Sequence, residues 1–195
     1  NIGHQAADYA ELTQWWGKHT PQKKAQLYIG QHAARTMDGG QLEEKLALSR
    51  QNSSGNSWWS GEDLVKNYKG LGDSLITSYQ TYRALLPEIH GALGKTKAPA
   101  AISLILEDTN EDGHMILWDD YREPSDPESA FYYAVYAFPE GTRPDISDVR
   151  YLMSISTNPY FILPSMERGT TYRYMVTAIN RFWQESKPAS IRISY

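Results

Sequence analysis

Two adjacent tryptophans and a serine form the segment of this chain that is best suited to bind a ligand. Trp58, Trp59 and Ser60 lie between two glycines, in a short apolar run that indicates a β-strand. Side chains alternate across a strand, so one indole packs against a helix while the other is free to stack on a sugar ring. The Ser60 hydroxyl can donate a hydrogen bond beside it. The alternative is that both indoles only pack in a core.

Other polar groups lack the spacing that catalysis or metal binding requires. Glu43 and Glu44 are adjacent in sequence, as are Asp119 and Asp120, so the carboxylates of each pair diverge on a helix or strand. The five histidines have no metal-ligand spacing. We find no glycine-rich phosphate loop and no nucleophile elbow. The sequence therefore predicts no catalytic residue, no metal ion and no cofactor.

One acidic segment resembles the start of a calcium-binding loop. It reads DTNEDG from Asp108 to Gly113, and Asp119 occupies its twelfth position. An EF-hand has helices on both sides and a glutamate at that position, whereas Asn, Asp and Gly are the usual residues of a β-hairpin turn. We interpret the segment as a hairpin turn, with calcium binding as the alternative.

The composition excludes several classes of protein. Nineteen basic and 23 acidic residues give a net charge of −4, which argues against nucleic acid as a partner. The absence of cysteine excludes disulfides and thiol catalysis. No apolar run approaches the roughly 20 residues of a membrane span. Six tryptophans and fourteen tyrosines supply aromatic faces that serve cores and also suit sugar rings.

Two kinds of periodicity divide the chain. Residues 91–99 are rich in small residues, glycine and proline, as linkers are. Before them, we predict α/β structure with parallel strands over residues 1–95. The expected order is helix, strand, helix, strand and helix, at residues 6–19, 25–30, 41–50, 57–60 and from 73 to 86.

After the linker, the sequence of residues 96–195 predicts an immunoglobulin-like β-sandwich of seven short strands. The expected strands are 101–106, 115–119, 131–138, 151–155, 160–163, 171–180 and 190–195. Trp118 stands where a core aromatic residue of the second strand belongs. The alternating stretch from Arg168 to Asn180 resembles a fibronectin type III domain, with Tyr172 as its tyrosine corner. That resemblance implies a buried Tyr172 whose hydroxyl bonds to backbone a few residues upstream.

Several motifs in the first half resemble the family-10-like glycosyl hydrolases of bacteria. They are IGH at positions 2–4, ADYA at 7–10, WW at 15–16, LYIGQ at 27–31 and GLGDSL at 70–75. In that family a (β/α)₈ barrel is followed by a fibronectin-like domain. The resemblance therefore implies that residues 1–95 are the end of such a barrel. It also implies a protein that is secreted, periplasmic or lipid-anchored at the bacterial cell surface.

The same resemblance implies an incomplete active site. A full barrel needs roughly 200 residues, and only residues 1–95 precede the predicted sandwich. Glycosidases use two carboxylates across the scissile bond, and at least one would lie on an earlier strand. We therefore expect a chain that does not catalyse hydrolysis alone. Its exposed strand edges would pair with an upstream segment or another chain.

The resemblance places two further polar residues at the C-terminal ends of barrel strands, His4 and Gln31, where both can hydrogen-bond a sugar hydroxyl. The alternative is that His4 is only a residue of a terminal loop and that Gln31 only caps the end of a strand. The expected substrate-binding residues are His4, Gln31, Trp58, Trp59 and Ser60, with an oligo- or polysaccharide as the partner. The competing hypothesis is a non-catalytic module that binds carbohydrate or protein, or serves as a structural part.

Overall fold

The computed structural model describes residues 6–20, 25–89, 96–111 and 113–195. Internal contacts divide them into two units. The first unit contains residues 6–20, 25–81 and 89, and the second contains 82–88, 96–111 and 113–195. The boundary predicted after residue 95 adjoins residues 90–95, which lie outside the described part of the chain.

The first unit is built on two parallel strands. Strands β1 (Tyr28–His32) and β2 (Gly55–Trp59) are hydrogen-bonded neighbours. The helical segments are α1 (Ala6–His19), α2 (Ala33–Asp38), α3 (Leu42–Asn52), α4 (Gly61–Val65), a 3₁₀ turn (Tyr68–Gly70), α5 (Leu71–Ser74) and a π-helical turn (Leu75–Tyr79). The parallel pairing agrees with the α/β prediction. Helices α2 and α3 connect the two strands, and a helical crossover is the usual connection between parallel neighbours.

Helices α1 and α3 pack closely because a glycine lies at their contact. A Cβ atom on Gly17 would lie 2.6 Å from the carbonyl oxygen of Asn52, so any larger residue would push the helices apart. Beneath them, Ala33, Leu46, Leu71 and Leu75 form the buried apolar cluster of the first unit. Burial of this cluster is the main force that holds the short helices on the strands.

The helix expected to continue to residue 86 ends at Tyr79 instead. The chain from Tyr82 to Glu88 belongs to the second unit, where Leu85 packs against a core cluster of the sandwich. Pro87 disfavours helical backbone in the residue before it, which is consistent with the extended course of this segment. The apolar residues after Leu75 therefore do not share one helix face: Tyr79 packs in the first unit and Leu85 packs in the second.

The second unit is a sandwich of two antiparallel sheets. One sheet has the order β3-β4-β7 and the other β6-β5-β8-β9. The strands are β3 (Leu106–Asn110), β4 (Gly113–Leu117), β5 (Tyr132–Pro139), β6 (Leu152–Ser156), β7 (Tyr160–Ile162), β8 (Thr171–Ile179) and β9 (Ala189–Ser194). The predicted sandwich is confirmed, although its first strand begins at residue 106 and not 101.

In the acidic segment, Asp108 to Asn110 lie in β3 and Gly113 begins β4, and the two strands pair as an antiparallel hairpin. This agrees with its interpretation as a turn. Within residues 6–20, 25–89, 96–111 and 113–195, no three His, Cys, Asp or Glu side chains are grouped so that they could hold a metal ion. Over the same residues, no helix combines the length and apolar character needed to cross a membrane.

The sandwich core lies between the two sheets. It is filled by large side chains from both, including Ile116, Trp118, Tyr133, Val135, Tyr174, Val176 and Ile193. Trp118 is buried, as predicted, and packs edge-on against Tyr133 with ring centroids 5.4 Å apart. Alternation along β8 sends every second residue into this core.

Tyr174, and not Tyr172, is the buried tyrosine of β8. The Tyr174 hydroxyl oxygen lies 2.6 Å from that of Tyr195, and burial raises the Tyr174 pKa. Tyr172 is half-buried, and among the described residues its hydroxyl has no hydrogen-bond partner. The predicted backbone bond of Tyr172 is therefore wrong. The backbone before β8 pairs with Tyr195 instead, because the Gly169 N–H donates to the Tyr195 carbonyl.

An ion pair lies in the segment before β5, and a hydrogen bond from Tyr133 fastens its carboxylate to that strand. Arg122 Nε lies 2.8 Å and 2.9 Å from the two carboxylate oxygens of Asp120. The Tyr133 hydroxyl donates to Asp120 at 3.0 Å. The Arg122 guanidinium lowers the pKa of Asp120 to about 2. Asp120 is thus held in its charged form more firmly in the folded chain than in the unfolded one.

This ion pair makes stability depend on acidity. Asp120 has a depressed folded pKa, so its contribution is complete above the ordinary value of 3.8 and is lost as pH falls toward 2. Because the side chain is 38% exposed, we expect a contribution of less than about 1 kcal/mol. Urea unfolding should show wild type more stable than Asp120→Asn at about pH 6, with the difference shrinking toward pH 2. A pH-independent difference would contradict this.

Candidate functional site

The parallel strands of the first unit have one covered and one exposed face. Trp59 is 72% exposed, and Tyr28 is also exposed on its side of the sheet. Ile29 and Trp58 lie on the other side, toward the helices, because side chains alternate along each strand. We call the side that carries Tyr28 and Trp59 the open face.

The two strands end side by side. His32 is the last residue of β1 and is the register partner of Trp59, the last residue of β2. The His32 Nδ1 atom accepts a hydrogen bond from the Arg35 N–H at 3.4 Å at the start of α2. Ser60 follows β2 and donates to Asp63 Oδ2 at 3.2 Å at the start of α4. His32 was not predicted as a site residue, yet it adjoins the exposed indole.

Gln31 lies near the same strand ends but faces the helices. It is 2% exposed, and neither atom of its amide has a hydrogen-bond partner among the described residues. Its neighbours include the buried Tyr9 of α1, whose pKa burial raises to about 12. Gln31 is the register partner of Trp58 and shares the buried face of Ile29, so it lies near the strand end as expected, while its contact with sugar stays a prediction.

The two tryptophans have separate surroundings. Trp58 is half-buried and packs against the apolar cluster that contains Leu46 and Leu71. Trp59 has most of its surface in solvent. The structure therefore leaves the Trp59 indole exposed on the open face while Trp58 packs, and Ser60 follows Trp59 as the first residue after β2. His4, the remaining predicted residue, lies outside the described residues.

A cluster of charged side chains lies in the segments that follow the strand ends, and the sequence analysis did not predict it. Lys69 Nζ lies 2.6 Å from Asp38 Oδ1, and the Tyr68 hydroxyl donates to the same oxygen at 3.0 Å. The Lys69 contact is the main reason that the Asp38 pKa is lowered. The charges of His32 and Asp63 also act on this group, on Asp38 and Tyr68 respectively. These five residues lie in or after the strand ends, although up to 37 positions separate them in sequence.

The loop that presents Lys69 has an unusual backbone. Asn67 and Lys69 have φ values of 52° and 48°, in the left-handed region that non-glycine residues seldom adopt. The Asn67 amide donates to Asp73 Oδ2 at 2.7 Å, and its oxygen accepts from the Asp73 N–H at 3.1 Å. Such strain persists where neighbouring contacts enforce it, and it is concentrated at functional sites.

The arrangement has the groups that polyhydroxylated ligands need. The indole of Trp59 is an apolar surface, while the side chains around Asp38 supply donors and acceptors. Asp38 is ionised near neutral pH, and Lys69 lowers its pKa further, so this carboxylate accepts hydrogen bonds and does not donate a proton there. These are the types of group that bind a neutral polar molecule by stacking and by hydrogen bonds.

The chain is similar, over nearly its whole length, to one curated glycosyl hydrolase. That relative is glycosyl hydrolase YngK of Bacillus subtilis (strain 168), 26% identical over 201 residues, which are 96% of this chain and 38% of the relative. This chain thus spans well under half the length of the relative. No protein-family profile matches the chain.

Solved structures resemble parts of the chain only weakly. They include FN3tt mut, with a TM-score of 0.35 at 15% identity over 50% of this chain and 97% of that one. Rat CD45 extracellular domains d3–d4 give 0.38 at 13% identity over 52% of each chain. The glycoside hydrolase domain of Endo-D from Streptococcus pneumoniae R6 gives 0.32 at 14% identity over 51% and 16%. These scores are too low to infer a shared fold, so the sandwich rests on its strand pairing.

Proposed function

We propose that this chain is the C-terminal region of a bacterial glycoside hydrolase and that its open face contacts carbohydrate. The observation that carries the proposal is the exposed indole of Trp59, beside His32 at the ends of two parallel strands. Similarity to a glycosyl hydrolase over 96% of the chain supports it. An indole face with polar groups around it is the combination that a sugar ring requires, since the ring has apolar faces and a polar rim.

We further infer that the first unit is the end of a (β/α)₈ barrel of the family-10-like type. Parallel strands with helices on one side are the repeating element of such a barrel, whose inner face is enclosed only when all eight strands are present. The C-terminal strand ends, where Trp59 lies, form the face on which barrel enzymes carry their sites. The longer relative has room for the other strands.

On this proposal, the 195-residue chain binds sugar but does not hydrolyse it alone. Glycoside hydrolysis needs two carboxylates placed across the bond, and the partner of any carboxylate here would come from the upstream segment or another chain. We also propose, from the family resemblance, a protein that is secreted, periplasmic or lipid-anchored at the bacterial surface.

The second candidate is a non-catalytic module that binds protein or carbohydrate. One observation favours protein binding: apolar side chains are exposed on the outer face of the three-stranded sheet, among them Leu106, Tyr160 and Ile162. Exposed apolar patches commonly mark interaction surfaces. This candidate predicts no dependence of sugar binding on Trp59.

Titration of the chain with cellohexaose, maltohexaose and chitohexaose, followed by tryptophan fluorescence, tests the proposal. We expect at least one of these sugars to bind and Trp59→Ala to weaken that binding by about tenfold or more, as loss of a stacking anchor does. Trp58→Phe is the matched control and should retain the wild-type affinity.

Two results would contradict the proposal. One is the absence of binding to any of the three sugars; the other is an unchanged affinity in Trp59→Ala. Hydrolysis is measured separately with nitrophenyl glycosides, for which we expect no turnover by the chain alone. Turnover that disappears in Asp38→Asn would show instead that the chain contains its own catalytic carboxylate.

A further inference from the structure

A cavity of about 330 Å³ lies on the sandwich, in the second unit. It is formed where the segment between β4 and β5 meets the loop between β8 and β9. Its charged lining residues are Asp120, Arg122, Glu123 and Arg181, and Phe131 contributes an aromatic ring. Loops at one end of an immunoglobulin-like sandwich are a common place for ligand recognition. This cavity is separate in sequence and in unit from the open face.

Three of the four charged residues already have hydrogen-bond partners. Arg122 pairs with both carboxylate oxygens of Asp120. Glu123 Oε1 accepts from the Ser125 hydroxyl at 2.8 Å. Their charges are accordingly partly satisfied by the protein itself.

Arg181 differs from the other three. Its guanidinium carbon lies 4.8 Å from the centroid of the Phe131 ring, a cation–π contact that orients the group without using its N–H donors. Among the described residues, no acceptor or carboxylate is bonded to Arg181. It therefore supplies the cavity with a positive charge and free donors.

The loop that carries Arg181 is held in place on both sides. Asn180 is fully buried, and its side-chain oxygen accepts from the N–H groups of Phe182 and Gln184 at 2.9 Å and 3.0 Å. The ring of Trp183 stacks on Tyr132, with centroids 5.1 Å apart. An anchored loop loses little conformational freedom when a ligand binds, so more of the interaction energy appears as affinity.

We propose that this cavity binds a carboxylate on a small hydroxylated molecule of about monosaccharide size, and that Arg181 pairs with that carboxylate. The planar guanidinium matches a carboxylate in two parallel hydrogen bonds. The volume is near the lower end of the roughly 300–1,000 Å³ of small-molecule sites. Asp120 and Glu123 also line the cavity, and carboxylate oxygens can accept further hydrogen bonds from hydroxyl groups of the same molecule. The proposal stands independently of carbohydrate binding at the open face.

Isothermal titration of the chain with glucuronate, glucose and N-acetylglycine tests this site. We expect glucuronate to bind with a dissociation constant on the order of 1 mM, given the few atoms available for contact. Glucose should bind at least about tenfold more weakly, because a hydrogen bond to a charged group is lost. Arg181→Gln should weaken glucuronate binding by a similar factor, and higher salt should weaken it in wild type.

Arg143→Gln is the matched control, since Arg143 is also exposed in the same unit but lies outside the cavity. It should leave glucuronate binding unchanged. N-acetylglycine should bind more weakly than glucuronate; binding as tight as that of glucuronate would overturn recognition of the hydroxyl groups and leave only the pairing of Arg181 with a carboxylate. Three results would overturn the proposal. The first is an equal affinity for glucuronate and glucose, and the second is an unchanged affinity for glucuronate in Arg181→Gln with a native circular dichroism spectrum. The third is no binding of either glucuronate or N-acetylglycine.

Discussion

Replacing Tyr174 by alanine is expected to destabilise the sandwich by about 3–5 kcal/mol, the usual cost of deleting a buried aromatic side chain. Tyr174 is completely buried between the two sheets and contacts Phe161 and Tyr172. Its removal also leaves the half-buried Tyr195 hydroxyl without its bond. Urea unfolding followed by circular dichroism measures the change in the free energy of unfolding.

Tyr172→Ala is the matched control from the same face of the same strand. Tyr172 is only half-buried and its hydroxyl makes no bond among the described residues, so we expect a loss of about 1–2 kcal/mol. Tyr174→Phe, which removes only the hydroxyl, should cost about 1 kcal/mol. A greater loss in Tyr172→Ala than in Tyr174→Ala would restore Tyr172 as the anchoring tyrosine of the sandwich.

In the first unit, Trp58→Ala is expected to cost about 2–4 kcal/mol, since it opens a gap against the apolar cluster around Leu46 and Leu71. Trp59→Ala should change stability by less than about 0.5 kcal/mol, because that indole is mostly in solvent. Amide hydrogen exchange in α3 and β1 reports the opening of the first unit apart from that of the sandwich.

The two adjacent tryptophans thus form a matched pair with opposite expectations. Trp58→Ala should accelerate exchange in α3 and β1, and Trp59→Ala should leave it unchanged while it weakens sugar binding. Similar exchange in both variants would mean that the two indoles have equivalent packing. That result would contradict the division of the strand into a covered and an open face.

Much of the fold could be predicted from local patterns in the sequence. Alternation of apolar residues located β5 and β8 to within two residues at each end, since the strand period is short and the inner face of the sandwich is wholly apolar. Parallel pairing of β1 and β2 followed from the helices between them. The helix after Leu75 was extended too far, because apolar spacing does not show that successive residues pack in different units.

The candidate site was only partly predictable. Sequence pointed to Trp58, Trp59 and Ser60, but it did not decide which indole packs, since neighbours in a strand are chemically alike and differ only in the face they occupy. The burial of Gln31 was likewise decided by its face.

By itself, the sequence determined the strand periods, the division into two kinds of structure and the abundance of aromatic side chains. These depend on residues that are close along the chain. Only the tertiary structure decided that Lys69 meets Asp38 and that Arg181 stacks on Phe131. Residues 31 or 50 positions apart meet only when strands pair and loops close. Such contacts leave no periodic pattern in the sequence, because each one depends on the packing of every element between the two residues.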